Sequence, residues 1–153
     1  MSSPRKYSVN DGITKDLCSL SYVSIDTIVA RAVNLGRGDL KSAYRHIPVH
    51  PDDKWRLGMD WNGMLYVDST LPFNLRFAPV IFNTTVEALA YIIRQKGVTS
   101  LDHYLDDFSL VGAPKSPECG ENLQMVLSMC EEVAFMVALE KIRGPVTLIS
   151  LLG

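Results

Sequence analysis

The sequence predicts an α+β fold in which helices pack on one face of an antiparallel sheet, an arrangement of the ferredoxin-like kind. Three local patterns predict it. Two short β-prone runs flank an acidic turn within Ser100–Gly112, and two more flank the Asn62-Gly63 turn. The residues Ala78–Lys96 form the longest segment with helical character.

The N-terminal part is predicted to contain one helix. Residues 1–23 are expected to be loop and extended structure. Ser24 is a suitable N-cap for a helix through Leu35, because apolar side chains recur between them at helical spacing. Gly36 and Gly38 are expected to end this helix.

The middle of the chain is predicted to form a hairpin and then a helix. Trp55–Met59 and Met64–Thr70 are rich in strand-forming residues and lie on either side of Asn62-Gly63. The helix Ala78–Lys96 has a natural C-cap in Gly97, since glycine readily adopts a left-handed conformation.

A further helix and two strands are expected after the acidic turn. Pro117 suits the first turn of a helix that runs to about Phe135, and Met136–Leu139 and Val146–Leu152 are expected to complete the sheet. The apolar residues at helical spacing that are predicted to face the core are Leu123, Met125, Val126, Met129 and Cys130.

Length and composition indicate one domain without bulk affinity for nucleic acid or membrane. The chain has 153 residues, of which 47% are hydrophobic, enough for a single core. Its net charge of -2 supplies no general attraction to phosphate. The three cysteines form no C-x-x-C pair and are interpreted as reduced intracellular thiols. No signal peptide and no membrane-spanning run are recognised, so an intracellular location, in cytoplasm or nucleus, is expected.

Three aspartates carry the chemistry that the sequence predicts. Asp106 and Asp107 are adjacent in a tight turn, where two carboxylates repel each other unless a cation lies between them. Hard oxygen ligands of this kind suit Mg²⁺ or Mn²⁺, and with Asp39 they could hold the two ions used in nucleotidyl transfer. The alternative is a solvated acidic turn and an unrelated aspartate that caps a helix.

Four blocks of sequence, in order along most of the chain, resemble the palm of reverse transcriptases, most of all those of DIRS-like retrotransposons, which use a tyrosine recombinase. The Tyr-Leu-Asp-Asp motif alone would be a modest signal, whereas four ordered blocks are a strong one. The blocks are Asp39–Arg45, Leu71–Pro79 with Ile81–Asn83, His103–Phe108, and Leu139–Lys141 with Gly144-Pro145.

The resemblance implies an RNA-directed DNA polymerase that uses two Mg²⁺ or Mn²⁺ ions. It implies that Asp39 and Asp106 bridge the ions, with Asp107 and the backbone carbonyl of Leu40 as further ligands. Lys141 matches a lysine proposed in the family as general acid for pyrophosphate, although a lysine at such a position is more often simply exposed.

The resemblance also implies a nucleotide pocket. Tyr44 matches an aromatic steric gate against ribonucleotides, and Phe73 and Arg76 match residues that line the pocket. The alternatives are core packing for the two aromatic residues and a surface cation for Arg76. Asn74 stands where relatives usually have glycine, and Phe77 replaces a small residue, which puts the shape of the pocket in doubt.

The stretch before Asp39 argues against a working enzyme. In relatives an apolar strand precedes the first metal aspartate, whereas here Gly36-Arg37-Gly38 runs directly into Asp39, as though that strand were missing. It can be recovered only if Val29–Leu35 supplies strand residues instead of helix.

The whole of 1–153 is interpreted as a partial reverse transcriptase domain, with 1–23 a remnant of the fingers, 24–153 the palm and the thumb absent.

Three hypotheses remain open from the sequence. The first is a polymerase palm acting on an RNA or DNA template with primer and on dNTP, completed by the remaining retroelement polypeptide and without a membrane partner. The second is a catalytically inactive, truncated retroelement remnant. The third, another two-metal palm such as a nucleotide cyclase, lacks support because the Leu71–Pro79 block belongs to the polymerase pattern.

Overall fold

The computed structural model describes residues 8–20, 34–113 and 115–147. The sequence predicts one domain, whereas the chain divides into two compact units. One comprises the described parts of Met1–Leu20 and Tyr44–Phe82, and the other those of Ser21–Ala43 and Asn83–Gly153.

The regular elements are six strands and two α-helices in the described part of the chain, joined by short 3-10 helices. They are β1 (Asn34–Asp39), β2 (Gly58–Trp61), β3 (Met64–Val67), α1 (Ala78–Gln95), β4 (Leu101–Tyr104), β5 (Asp107–Gly112), α2 (Glu118–Glu132) and β6 (Arg143–Val146). The 3-10 helices are Val9–Gly12, Lys15–Cys18, Ala43–His46, Pro51–Leu57 and Leu139–Lys141.

Four strands form one antiparallel sheet in the spatial order β4-β5-β1-β6. Along the chain these strands and the helices follow each other as β1-α1-β4-β5-α2-β6, which is the ferredoxin-like arrangement. The predicted fold class is confirmed. The connection from β1 to α1 carries the separate hairpin of β2 and β3.

Helix α2 packs closely on strands β1, β5 and β6. Glycines permit this approach: a Cβ placed on Gly112 would lie 2.7 Å from the Cβ of Cys119, and one on Gly36 would lie 3.4 Å from its Sγ. The core includes Phe108 and Leu110 of β5, both almost fully buried. The sheet is therefore held to the helix by small residues on β1 and β5.

The cysteines are free thiols, as expected for structural residues. Cys119 and Cys130 are buried on α2, and Cys18 is half-buried. Burial raises the pKa of the Cys130 thiol to about 11, because the thiolate would be poorly solvated there.

The helix predicted from Ser24 to Leu35 is wrong at its end, because Asn34 and Leu35 are the first residues of β1. Residues 24–33 lie outside the described part of the chain. The strand that seemed missing before Asp39 is present, with Gly36-Arg37-Gly38 inside it. Its sequence lacks the usual apolar pattern in part because Gly36 occupies the position that approaches α2.

Other elements differ from the predictions at their ends. Trp55 lies in a 3-10 helix, so the first strand of the hairpin begins only at Gly58. In the run Met136–Leu139 only Val137 makes a β-bridge, to Leu40. The last described strand is β6, earlier than the predicted Val146–Leu152, since it pairs with β1 through Arg143 and Val146.

Helix α2 also departs slightly from its prediction. It ends at Glu132, three residues before the predicted end at Phe135. Of the five side chains predicted to face the core, Met125 is 39% exposed and the other four are buried. None of the described helices is both long enough and apolar enough to span a bilayer.

Candidate active site

The ferredoxin-like sheet brings Asp39, Asp106 and Asp107 together. Asp39 is the last residue of β1 and Asp107 the first residue of β5, and the two are direct partners in the antiparallel register. Asp106 lies in the two-residue turn between β4 and β5, where Leu105 has a φ of 50°. The predicted strand–turn–strand arrangement is therefore present, with the first aspartate on the neighbouring central strand.

Backbone hydrogen bonds hold this edge of the sheet in place. The Leu40 N–H donates to the Asp106 carbonyl at 2.8 Å, and the Ala138 N–H donates to the Asp39 carbonyl at 2.8 Å. The Asp106 turn, the end of β1 and the segment before Lys141 are thus joined directly.

Two cations pair with two of the three carboxylates. The Lys141 Nζ donates to Asp39 Oδ2 at 2.8 Å, and the Asp39 side chain is only 7% exposed. The Arg37 Nη2 lies 2.8 Å from Oδ1 and 3.0 Å from Oδ2 of Asp107, and its Nε lies 3.1 Å from Oδ1. Among the described residues, no ion pair to Asp106 accompanies these two.

The electrostatics of the site follow from burial and charge. Burial raises the pKa of Asp106 above its ordinary value, and the neighbouring charges of Asp39 and Asp107 raise it further. The hydrogen bond to Asp39, together with that carboxylate's charge, raises the pKa of Lys141. The Lys141 side chain is therefore held in its ammonium form.

The donor set suits a hard divalent cation in its chemistry but is not gathered around one. Within the described ranges, no group of three or more acidic, histidine or cysteine side chains is arranged to hold a metal ion. Asp39 instead pairs with Lys141, and Asp107 pairs with Arg37. Asp106 is half-buried and lies near two other carboxylates, so a bound cation would stabilise its ionised form.

The predicted nucleotide-binding residues belong to the other compact unit. Tyr44 lies in the 3-10 helix Ala43–His46, and its ring contacts the rings of Phe73 and Phe82, each with centroids 5.3 Å away. Phe73 is itself 54% exposed. The structure thus brings Tyr44 and Phe73 together.

Arg76 is tied to the N-terminal segment of the same unit. Its Nη1 donates to the Ile13 carbonyl at 2.7 Å, and its backbone N–H donates to Asn10 Oδ1 at 2.7 Å. The Asn10 side chain also donates to the Asn74 carbonyl at 2.8 Å. Asn74 has a φ of 65°, the left-handed conformation for which asparagine is the best substitute for glycine.

Arg37 is the residue at this site that the sequence analysis missed. It was noticed only as part of a Gly-Arg-Gly stretch. A signal was available, because a residue two positions before Asp39 on a strand points to the same face as Asp39. That signal could be used only once the stretch was recognised as strand.

The fold and the carboxylate cluster define a palm domain. A family model described as "Reverse transcriptase (RNA-dependent DNA polymerase)" matches residues 30–153, and the chain belongs to this family. No match is found among curated proteins. The narrower resemblance to DIRS-like elements is not supported by these comparisons.

Solved structures of foamy viral enzymes are similar in fold. The protease-reverse transcriptase in complex with RNA/DNA hybrid has a TM-score of 0.73 and 21% identity, over 87% of this chain and 18% of that one. The native enzyme of Prototype Foamy Virus has a TM-score of 0.71 and 22% identity, over 90% of this chain and 18% of that one. The chain therefore spans about a fifth of the length of these enzymes.

Proposed function

We propose that this chain is the palm of an RNA-directed DNA polymerase, which transfers a nucleotidyl group from dNTP to a primer 3′-hydroxyl. One observation carries the proposal: Asp39 of β1 pairs with Asp107 of the adjacent strand β5, and Asp106 lies in the turn that precedes β5. Adjacent carboxylates at a strand–turn–strand edge are the ligand type that two-metal phosphoryl chemistry requires. Membership of the family supports the same activity.

Asp39 and Asp106 are the residues that would hold a divalent ion, and the resemblance adds the backbone carbonyl of Leu40 as a further ligand. The resemblance assigns Asp107 to the same set, and its pairing with Arg37 bears on that assignment. Two bound Mg²⁺ or Mn²⁺ ions supply Lewis acidity toward the primer hydroxyl and the triphosphate. The backbone hydrogen bond from Leu40 to the Asp106 carbonyl keeps the two ligand-bearing segments in register.

Lys141 has the protonation state that a general acid needs. Its pKa is raised by Asp39, so the ammonium group retains its proton at neutral pH. In the proposed reaction it donates that proton to the leaving pyrophosphate. Its hydrogen bond to Asp39 keeps it at the site before a nucleotide binds.

Tyr44, Phe73 and Arg76 are proposed to form the nucleotide pocket. The Tyr44 ring is supported from two sides by Phe73 and Phe82, which suits a rigid steric gate against a 2′-hydroxyl. Arg76 contributes by holding the Leu71–Pro79 segment to the N-terminal segment of the same unit.

The partners and the origin of the chain follow from the same proposal. The partners are an RNA or DNA template with its primer, dNTP, and the remaining polypeptide of a retroelement, acting inside the cell. A DIRS-like origin rests on the four sequence blocks alone.

A second candidate function is favoured by a specific observation. Two of the three carboxylates are already neutralised, Asp39 by Lys141 and Asp107 by Arg37. These two charges are balanced without metal, as would suit a retroelement remnant that keeps the fold and has lost catalysis.

The deciding experiment is primer extension on an RNA template with Mg²⁺ or Mn²⁺. We expect incorporation by the chain, loss of it in Asp106→Asn, and retention in Asp102→Asn, a matched change on the neighbouring strand β4. No incorporation by protein that circular dichroism shows to be folded would contradict a self-sufficient polymerase and favour the remnant.

A further inference from the structure

The pairing of Arg37 with Asp107 is the most completely formed ion pair of the site. Three guanidinium contacts of 2.8 to 3.1 Å reach both carboxylate oxygens. The two side chains are 13% and 17% exposed, so water competes weakly with the pair. Bidentate arginine–carboxylate pairs of this kind are both strong and geometrically restrictive.

The pair is built into the sheet. Arg37 precedes Asp39 by two residues on β1 and therefore projects from the same face of the strand. Asp107 is the register partner of Asp39, so Arg37 reaches diagonally across to the neighbouring strand. The glycines on either side of Arg37 lie on the opposite face of β1, where Gly36 approaches α2.

We infer that Arg37 is a positioning residue that keeps Asp107 out of the metal site. The guanidinium contacts both oxygens of Asp107, whereas Asp106 lies near Asp39 and forms no ion pair within the described part of the chain. The metal-binding carboxylates of this chain are then Asp39 and Asp106, and Asp107 acts only through Arg37. This inference rests on the proposed function, because it defines the ligands of the proposed metal site.

A contrast with Lys141 supports the different role of Arg37. Lys141 is 55% exposed and makes one contact to Asp39, so it can leave that carboxylate at little cost. Arg37 would have to break three contacts in a largely buried place. A divalent ion can therefore displace Lys141 from Asp39 far more readily than Arg37 from Asp107.

Mn²⁺ binding to the purified chain, measured by electron paramagnetic resonance, tests the inference without using activity. Single charge changes are ambiguous, since Asp107→Asn leaves an unpaired arginine that would itself repel Mn²⁺. The decisive variant is the double substitution Arg37→Gln, Asp107→Asn, which removes both members of the pair and preserves net charge.

We expect the double variant to bind Mn²⁺ within about threefold of the unchanged chain, and Asp106→Asn to bind roughly tenfold or more weakly. Arg37→Gln alone should bind more tightly, by about tenfold, because Asp107 is released as a ligand and a positive charge is removed. Arg143→Gln is the matched control: it removes the same charge on β6, where Arg143 donates to backbone carbonyls, and should change affinity less than Arg37→Gln. Weakening of the double variant to the level of Asp106→Asn would overturn the inference.

Thermal unfolding in EDTA separates this inference from the proposed function. Arg37→Gln and Asp107→Asn should each lower Tm by roughly 4 to 8 °C, and the double variant should lose no more than the worse single variant. Additive losses would overturn the pairing that the inference requires. An absence of Mn²⁺ binding by the unchanged chain would contradict the proposed function. The pairing of Arg37 with Asp107 would then be tested only by whether the Tm losses of the two single variants add in the double variant.

Discussion

At the scale of single residues, Asp106 is the carboxylate on which the proposed metal site depends. Its carboxyl is half-buried and lies near Asp39 and Asp107, and both effects raise its pKa. Ionising this carboxyl therefore costs more in the folded protein than in the unfolded chain. A functional site that opposes stability in this way is expected where charged groups are gathered for binding.

The sign of this effect gives a prediction for Asp106→Asn. Because the pKa in the folded state is raised above the ordinary value of 3.8, the folded state binds the proton more tightly than the unfolded state. The free energy of unfolding should therefore fall as the pH rises from 3.8 through the raised pKa, and stay lower above it. Asp106→Asn removes the loss, so we expect its Tm to exceed that of the unchanged chain by a few degrees at pH 7.

Thermal unfolding at a series of pH values between 4 and 8, in EDTA, measures this difference in Tm between Asp106→Asn and the unchanged chain. The stabilisation should shrink as the pH is lowered toward 4, because protonation of the native carboxyl removes this electrostatic cost. The control is Asp102→Asn, the same substitution at a half-exposed position of β4 that pairs with Ser109 of β5. A destabilised Asp106→Asn at pH 7 would contradict the electrostatic account.

At the scale of elements, the sequence predicted those with a strong local signal. The Asn62-Gly63 turn, the helix ending at Gly97 and the hairpin around Asp106 are all present, because turn chemistry and periodicity specify them locally. Strand β1 was missed because its Gly-Arg-Gly stretch has low strand propensity. It forms because β5 and β6 supply hydrogen bonds on both sides and α2 lies close above, which are long-range effects.

The same reasoning explains what was predictable of the candidate site. The motif blocks identified Asp39, Asp106, Asp107 and Lys141, and the structure brings these four together. The contact between Arg37 and Asp107 joins residues 70 positions apart, and sequence spacing carries no information about it until the register of β1 and β5 is known. The roles of these residues remain predictions.

The close packing of α2 on the sheet gives a prediction for two glycines. Gly112→Ala would place a Cβ 2.7 Å from the Cβ of Cys119, so we expect a loss of about 1–3 kcal/mol in the free energy of unfolding. Gly38→Ala is the matched control, since a Cβ there meets no atom within 4 Å. Alanine should be neutral there or stabilise β1 by about 0.5–1 kcal/mol. Urea unfolding of both variants checks the pair, and equal losses would contradict the packing of α2 on β5.

At the scale of the whole molecule, the two sheets differ greatly in protection from solvent. The four-stranded sheet has β1 and β5 paired on both sides and holds buried residues such as Leu110. The separate hairpin has only two strands, and all of its strand residues are exposed. A two-stranded ribbon that buries little apolar surface is marginally stable in water.

Amide hydrogen exchange, followed by mass spectrometry, should therefore separate the two sheets. Peptides covering Gly58–Val67 are expected to exchange roughly a hundredfold faster or more than those covering Asp107–Gly112, because local opening of the hairpin breaks few buried contacts. Dilution provides the control, since exposed side chains such as Trp61 and Leu65 could be covered by self-association. Slow exchange of the hairpin that persists on dilution would contradict the prediction, whereas slow exchange that disappears would show that association protects this apolar surface in concentrated samples.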